Sequence, residues 1–417
     1  MSLVSALFTG VSGLSGNAKA LEVLGDNISN VNTVGFKSSR PVFGDILSSI
    51  LANGSTTSQV GRGSQLSGVL QSFSQGSFEA SENALDMSID GSGFFIVNTG
   101  SGNFFTRNGQ FRLNDNGLVQ SITGEVLQGF QVAKGVVSNQ LTNIDLAGVQ
   151  SAPKATMEFT LGANLNAAAS AGTTFTSPIS IFNSVGQEVI LSIQFTKQAG
   201  GANAWRYALL PNVGSVAAGS PSGTSGAVTF GNDGQLSDIN GGGIQDLTIQ
   251  LDFSSSNPPA NAQTLTWNLA TASGVTNGKL TGFASQSNNN SFVQNGFSTG
   301  TLVGLSVSST GMIQGLFNNG QTDQLFQVAM ADFLSPTGLT RQGNNLFAQS
   351  AESGQPIIGT ATTGGFGSLV GSSLELSNVD LASEFVTLIQ TQQAFQASAR
   401  VINTTDDLLT EAVNLVR

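Results

Sequence analysis

Apolar residues recur at alternating steps of three and four at both ends of the chain. Between positions 4 and 28 this stepping picks out Val4, Leu7, Val11, Leu14, Ala18, Leu21, Gly25 and Ile28, with no polar residue among them. From position 381 it picks out Leu381, Phe385, Leu388, Gln392, Phe395, Ala399, Ile402, Asp406, Leu409, Val413 and Val416. A period near 3.5 residues sustained over such spans predicts two helices with coiled-coil-like seams. Residues 377–380, just ahead of the second run, supply capping chemistry for its first turn.

The middle of the chain changes period. Leu247, Ile249, Leu251 and Phe253 alternate with Thr248, Gln250 and Asp252, and Leu191, Ile193 and Phe195 alternate with Ser192, Gln194 and Thr196. Leu265, Trp267 and Leu269 repeat the pattern. Period two predicts strands with one buried and one wet face, as in antiparallel sheets. Asp90-Gly91, Asn108-Gly109, Asn116-Gly117, Asp233-Gly234, Asn295-Gly296 and Asn319-Gly320 mark turns between strands. The expected fold is therefore multidomain α+β, with terminal helices and two nested, mainly antiparallel β domains. Polar, Gly/Ser-rich stretches at 53–68, 143–153, 271–290 and 359–373 are expected to mark borders. They divide the chain into a helical core (1–70 and 374–417), an inner β domain (71–152 and 285–373) and an inserted outer β domain (153–284).

Either helical stripe alone fits an ordinary core-facing helix. Their place at the ends, where chains fray unless something docks them, and outer faces rich in Ser, Thr, Gln and Asn point instead to other chains as the partner.

Composition narrows the chemistry. The 417 residues contain no histidine and no cysteine. Histidine-based acid–base catalysis, Ser-His-Asp or Cys-His nucleophiles, thiolate or imidazole metal sites and disulfides are therefore excluded. Fourteen basic against 25 acidic residues give a net charge of −11, which argues against a phosphate-backbone or anionic-membrane footprint. Only 9% of residues are charged, against about 25% in an average soluble domain. Twenty-seven phenylalanines provide material for packed cores. The start of the chain lacks the basic residues of a secretory signal, so export is expected to use no cleavable leader of that type.

The short motifs dissolve on inspection. Gly296-Phe297-Ser298-Thr299-Gly300 matches a nucleophile elbow, but no histidine exists to act as base and its flanks read as a turn. Gly91-Ser92-Gly93 lacks a third glycine and precedes a strand, so it reads as a hairpin turn. Asn114-Asp115-Asn116-Gly117 lacks the spacing and distal Glu of a calcium loop. Asp406 and Asp407 are neighbours on a helix and diverge by about 100°. Arg107 and Arg112 flank Asn108-Gly109 in an expected hairpin and are expected to be surface or subunit contacts. No catalytic, cofactor or metal site is expected, and the chain does not read as an enzyme.

Three blocks carry a resemblance. The run Gly25-Asp26-Asn27-Ile28-Ser29-Asn30-Val31-Asn32-Thr33-Val34-Gly35-Phe36-Lys37 resembles the N-terminal signature of bacterial flagellar axial proteins of the rod, hook and hook-associated family. Residues 84–95, with Asp90, Gly91, Gly93 and Phe94, and then Phe105-Thr106-Arg107-Asn108-Gly109, are similar to a second shared block. Residues 376–381 and 403–409 are similar to the C-terminal block. Within an extra β-rich stretch, 156–283, Pro178-Ile179-Ser180-Ile181-Phe182-Asn183-Ser184-Val185-Gly186 running into Phe195-Thr196-Lys197 is similar to the outer domain of the hook branch.

The resemblance implies a structural subunit that polymerises into a curved, flexible tube, a universal joint transmitting torque from motor and rod to filament. It implies an extracellular place in the basal body–hook complex and no cofactor. The implied partners are further copies of itself, a rod protein below and a hook–filament junction protein above. A hook cap protein and the type III export apparatus act during assembly. It implies neither nucleic-acid binding nor membrane insertion. The alternatives are a distal rod subunit of the same family and a secreted β-rich adhesin or glycan-binding protein. The expected assembly surface comprises Val4, Leu7, Val11, Leu14, Leu21, Ile28, Leu381, Phe385, Leu388, Phe395, Ile402, Leu409 and Val413.

Overall fold

A computed structural model describes residues 3–46, 49–53, 56–200, 203–216 and 225–414, with side chains described outside 3–4, 49–53 and 56–60. The two runs of 3–4 stepping are helices, α1 over Leu3–Ser29 and α2 over Leu381–Asn414. Asp380 caps α2: its carboxylate accepts the Ala382 N–H at 2.9 Å and the Ser383 N–H at 3.4 Å. Two donors otherwise left bare by the first turn are satisfied this way.

The helices pack antiparallel, because Gly10 faces Ile402, Gly13 faces Ser398, and Asn27 reaches Glu384. A Cβ added at Gly10 would lie 2.9 Å from Ile402 Cγ1, and one at Gly13 would lie 3.0 Å from Ser398 Oγ. Glycine therefore sets the distance of closest approach. On α1 the fully buried positions are Gly10, Gly16, Ala20, Leu24 and Asn27. The expected seam lies beside them: Leu7, Leu14, Leu21 and Ile28 are half-buried and Val11 is exposed, while the Val4 side chain lies outside the described residues.

Contacts divide the chain into two compact units, one of residues 1–148, 304–315 and 322–417, the other of 149–303 and 316–321. In the first unit the strand Phe94–Asn98 is flanked by Asn103–Thr106, Val126–Ala133 and Thr322–Asp332. It is buried on both faces. Phe95 and Val97 join one apolar cluster with Met87, Leu127 and Met330, and Phe94 and Ile96 join another with Phe105, Phe333 and Phe347. Several stretches read as connectors are strands: Ser64–Gln71 pairs with Ser39–Asp45, and Ser368–Gly371 with Met87–Asp90. Backbone pairing needs no apolar side chains, so composition alone hid them.

Two turns differ from the sequence expectation. Gly91-Ser92-Gly93 links Met87–Asp90 to Phe94–Asn98, but these strands pair with others, not with each other, so this is no hairpin. The same holds for Asn108-Gly109, between Asn103–Thr106 and Phe111–Leu113. Asn116-Gly117 and Asp233-Gly234 do close hairpins.

The second unit is a β-sandwich. Thr174–Phe182, Glu188–Lys197, Ala204–Pro211, Ser225–Phe230 and Leu236–Ile239 pair successively antiparallel in one sheet. Leu247–Asp252, Gln263–Trp267 and Glu158–Asn164 form the heart of the other, with a parallel pairing between the last two. The alternating residues seen in the sequence interdigitate between the sheets, with Trp267 stacked on Phe159 at 5.6 Å and edge-on to Phe195 and Tyr207. Leu265 is fully buried beside them. Leu265→Ala is expected to destabilise this unit by about 2–5 kcal/mol. Both tryptophans, Trp205 and Trp267, lie in it, so a urea titration followed by tryptophan fluorescence reads the loss.

Candidate assembly site

The residues of the three shared blocks converge where α1 ends, α2 begins and the β body of the first unit starts. Asn27, fully buried on α1, is the first link. Its amide donates to the Ser39 carbonyl at 2.8 Å and accepts the Ser39 N–H at 2.8 Å, and its nitrogen also donates to Glu384 Oε1 at 3.2 Å. One side chain thus joins α1, the following strand and α2. Asn30 closes the helix, donating to the Asp26 carbonyl at 2.8 Å. The chain then turns through Gly35 at φ +70°, where a Cβ would sit 2.6 Å from the Arg107 and Asn108 backbone. Only glycine fits there.

Behind that turn lies a buried ionic triad. Lys37 Nζ donates to Glu375 Oε1 at 2.7 Å and to the Ser74 carbonyl at 2.7 Å. Arg107 Nη1 sits 3.4 Å from Glu375 Oε2, and Nη2 donates to the Gly91 carbonyl at 2.8 Å. The Gly76 N–H donates to Glu375 Oε1 at 3.0 Å. Arg107 also lies over the Phe94 ring, 5.2 Å from its centroid. Burial pushes the Lys37 ammonium and the Arg107 guanidinium below their ordinary pKa values, and Glu375 opposes both shifts. Arg107 is therefore not the surface or subunit contact expected from the sequence: it is 4% exposed and bonded within its own chain. Arg112 is exposed, as expected.

The remaining signature residues shape this corner. Phe36 is buried under the Arg341 guanidinium, which also pairs with Asp26 at 3.1 Å. Gly93, at φ +123°, leaves room for Met330 Cε, and a Cβ on Gly109 would overlap the Met87 carbonyl. Asn108 accepts the Gln110 N–H at 3.0 Å, while Asp90 is exposed at a strand end. Glu375 escaped the sequence reading. The available signal was its isolation, as the sole charged residue between Glu352 and Asp380. Glu384 also escaped it. Its Oε2 is buried without a partner, and burial raises its pKa against the opposing Asn27 hydrogen bond.

Above the junction the helices leave much apolar surface uncovered. On α2, Leu388, Phe395, Ile402 and Leu409 are half-buried toward α1, whereas Leu381, Phe385, Val386, Ile389, Val401, Leu408 and Val413 are exposed. Phe8 and Val11 are exposed on α1. Leu7, Leu14, Leu21 and Ile28 thus share the half-buried zone. A groove of about 770 Å³ runs between the helices and the Ser39–Asp45/Ser64–Gln71 ribbon, lined by Ala20, Leu24, Phe43, Leu70, Thr387 and Glu384. Among the described residues no cluster of metal-ligating side chains occurs, and no helix is long and apolar enough to cross a membrane.

Terminal helices clamped to a β-rich body, with signature blocks meeting at the clamp, define a structural protein of the flagellar axial class. Four family descriptions match in order: flagella basal body rod protein over residues 7–37, the hook protein FlgE/F/G D1 domain over 88–164, the flagellar basal body protein FlaE D2 domain over 151–297, and the basal body rod FlgEFG C-terminal region over 370–415. Flagellar hook proteins FlgE are similar over nearly the whole chain. That of Borreliella burgdorferi is 30% identical, covering 99% of this chain and 100% of its own length. Those of Treponema pallidum and Escherichia coli are each 30% identical, covering 100% and 97% of this chain and 100% and 98% of their own. The chain belongs to the flagellar hook protein family, and its role is that of a structural subunit of the hook.

Removing the triad's anion leaves two buried cations facing one another, so Glu375→Gln is expected to cost about 3–5 kcal/mol in a urea titration followed by circular dichroism. Glu384 behaves oppositely. Because its folded pKa lies above the unfolded one, its contribution to stability is full below the unfolded pKa and is lost as pH rises through the folded value. Glu384→Gln is therefore expected to raise the melting temperature at about pH 7 and to leave it unchanged at about pH 3, below both pKa values.

Proposed function

We propose that the terminal helices form the inner core of a curved hook tube, as coiled-coil-like seams shared between copies. In sequence the chain is nested: the terminal helical segments enclose an inner β domain (71–152 and 285–373), whose two segments enclose an inserted outer domain (153–284). The observation that carries this reading is the apolar surface that α1 and α2 display on faces their own chain does not cover. Full burial of a Leu or Phe side chain is worth about 1.5–3 kcal/mol, so these residues hold on the order of 10 kcal/mol per copy before the costs of association.

In this role the partners are further copies of the chain, rod and junction proteins at the two ends, and the cap and export apparatus during assembly. The place of action is outside the cell. Bending follows from composition. Each turn of a spinning curved tube requires neighbouring subunits to shift by a few ångströms. Ser, Asn, Gln and Gly contacts re-form after such a shift, whereas dense salt bridges would resist it. With 9% charged residues, this chain has few ion pairs to break.

Two helices with so much uncovered surface are marginal in water without neighbours. Hydrogen exchange on free subunits is expected to be fast at Leu14 and Phe395 and slow at both in tubes; strong protection in the free subunit would refute the core assignment. Deleting residues 156–283 is expected to leave polymerisation intact and to change curvature in electron micrographs. Loss of all association in that variant would place the assembly surface in the wrong domain.

A further inference from the structure

Seven Asn-Gly pairs occur along the chain, six of them among the described residues. Glycine has no Cβ, so its backbone nitrogen meets the side-chain carbonyl carbon of a preceding asparagine with little steric hindrance. Attack requires the asparagine amide to turn back toward that nitrogen, and a hydrogen-bonded amide is held in another rotamer. In five of the six pairs the amide is held. Asn240, Asn277 and Asn319 each donate and accept with it, Asn295 accepts two backbone N–H groups and Asn108 accepts one. Asn116 differs. It is exposed at the hairpin tip between Phe111–Leu113 and Val119–Ser121, and its amide has no hydrogen-bond partner among the described residues. The turn is closed by Asn114 instead, whose Oδ1 accepts the Asn116 and Leu118 N–H groups and whose carbonyl accepts the Gly117 N–H at 2.9 Å. Opening that last bond at an exposed tip is a local event that leaves the strands paired.

We propose that Asn116 is a site of spontaneous covalent modification, deamidating through a succinimide to aspartate and isoaspartate. The Gly117 nitrogen forms a bond to Asn116 Cγ, the Cγ–Nδ2 bond breaks, and Nδ2 leaves as ammonia with the proton that Gly117 gives up. Water then opens the ring. Addition at Cγ leaves an ordinary aspartate. Addition at the Asn116 backbone carbonyl carbon leaves isoaspartate, whose main chain runs through Cβ and Cγ. The net change is asparagine plus water to a carboxylate plus ammonium, with no enzyme, oxidant or second copy taking part. The isoaspartate product disturbs the fold because Gly117 has no room to move. It is buried at φ +82°, a Cβ there would lie 2.5 Å from the Ala147 nitrogen, and its carbonyl accepts the Leu146 N–H at 2.7 Å. An extra main-chain carbon just ahead of Gly117 displaces that carbonyl. Residues 144–147, which place Ile144 and Leu146 in the apolar cluster of Phe95 and Val97, then lose their anchor on the turn. Aspartate, with the backbone length unchanged, leaves the anchor in place.

The test ages the full-length chain at neutral and at mildly alkaline pH and maps it by tandem mass spectrometry. Position 116 is expected to gain one mass unit at least tenfold faster than Asn108, Asn240, Asn277, Asn295 or Asn319. The gain is expected to be faster at the alkaline pH, because the attacking nitrogen must lose its proton. An isoaspartyl methyltransferase with a labelled methyl donor is expected to label the aged wild type at 116. It is expected to leave position 116 of aged Asn116→Gln unlabelled, because the longer side chain would have to close a larger ring. Amide hydrogen exchange at Leu146 is expected to be at least tenfold faster in the isoaspartate fraction than in Asn116→Asp, which carries the same charge on a backbone of normal length. Modification at 116 no faster than at the five anchored asparagines would overturn the site. Exchange at Leu146 equal in the isoaspartate fraction and in Asn116→Asp would overturn its consequence.

Discussion

A helix can bury only one stripe against a single partner, and α2 carries apolar residues well beyond one stripe. That mismatch governs the molecule. The groove formed with α1 accommodates Leu388, Phe395, Ile402 and Leu409, with Gly10 and Gly13 allowing close approach. Phe385, Val401 and Leu408 remain in water. Such a surface is a liability in a free protein, and in the proposed tube it becomes an asset as each added copy removes more of it from solvent. The rest of the architecture holds this surface in a defined place.

The clamp at the helix roots performs that task. Asn27 and the Lys37–Glu375–Arg107 triad bind α1, the strand before α2 and the β body into one corner. A buried ion group of this kind is poor evidence for stability, since apolar packing would serve as well or better. Its value is positional. Lys37 and Arg107 must find the same carboxylate, so only one arrangement of three distant segments satisfies them. Asn27 adds direction, since its amide is satisfied by Ser39 and Glu384 together. In the proposed tube, helices that join subunits need a rigid root, and the charges supply it without enlarging the apolar core.

The β-sandwich of the second unit follows a different logic. Its core is dense in large rings, with Trp205, Tyr207, Trp267 and Phe195 all fully buried. Its outward positions carry many Ser, Thr, Gln and Asn, and among the described residues the ion pairs lie in the first unit. Interior rigidity with a weakly interacting exterior suits a body that must keep its shape while its contacts change. Under the proposed function the two units divide the work of bonding and yielding.

Much of this was legible along the chain. The two helices, the alternating strands around Leu191, Leu247 and Leu265, and the hairpins at Asn116-Gly117 and Asp233-Gly234 follow from periodicity and turn chemistry, which act over a few residues. The shared blocks were visible for the same reason, as short runs with fixed spacing. Strands such as Ser64–Gln71 were hidden because their partners, not their side chains, make them strands. The depth of Arg107 and the importance of Glu375 were hidden more deeply, because the carboxylate lies 338 positions beyond Lys37. Which stripe of each helix meets its own chain was likewise undecided: neighbouring stripes differ by one residue in sequence but by about 100° in space. Local order was written in the amino acids, and the choice among equivalent faces and distant charges was made only by packing.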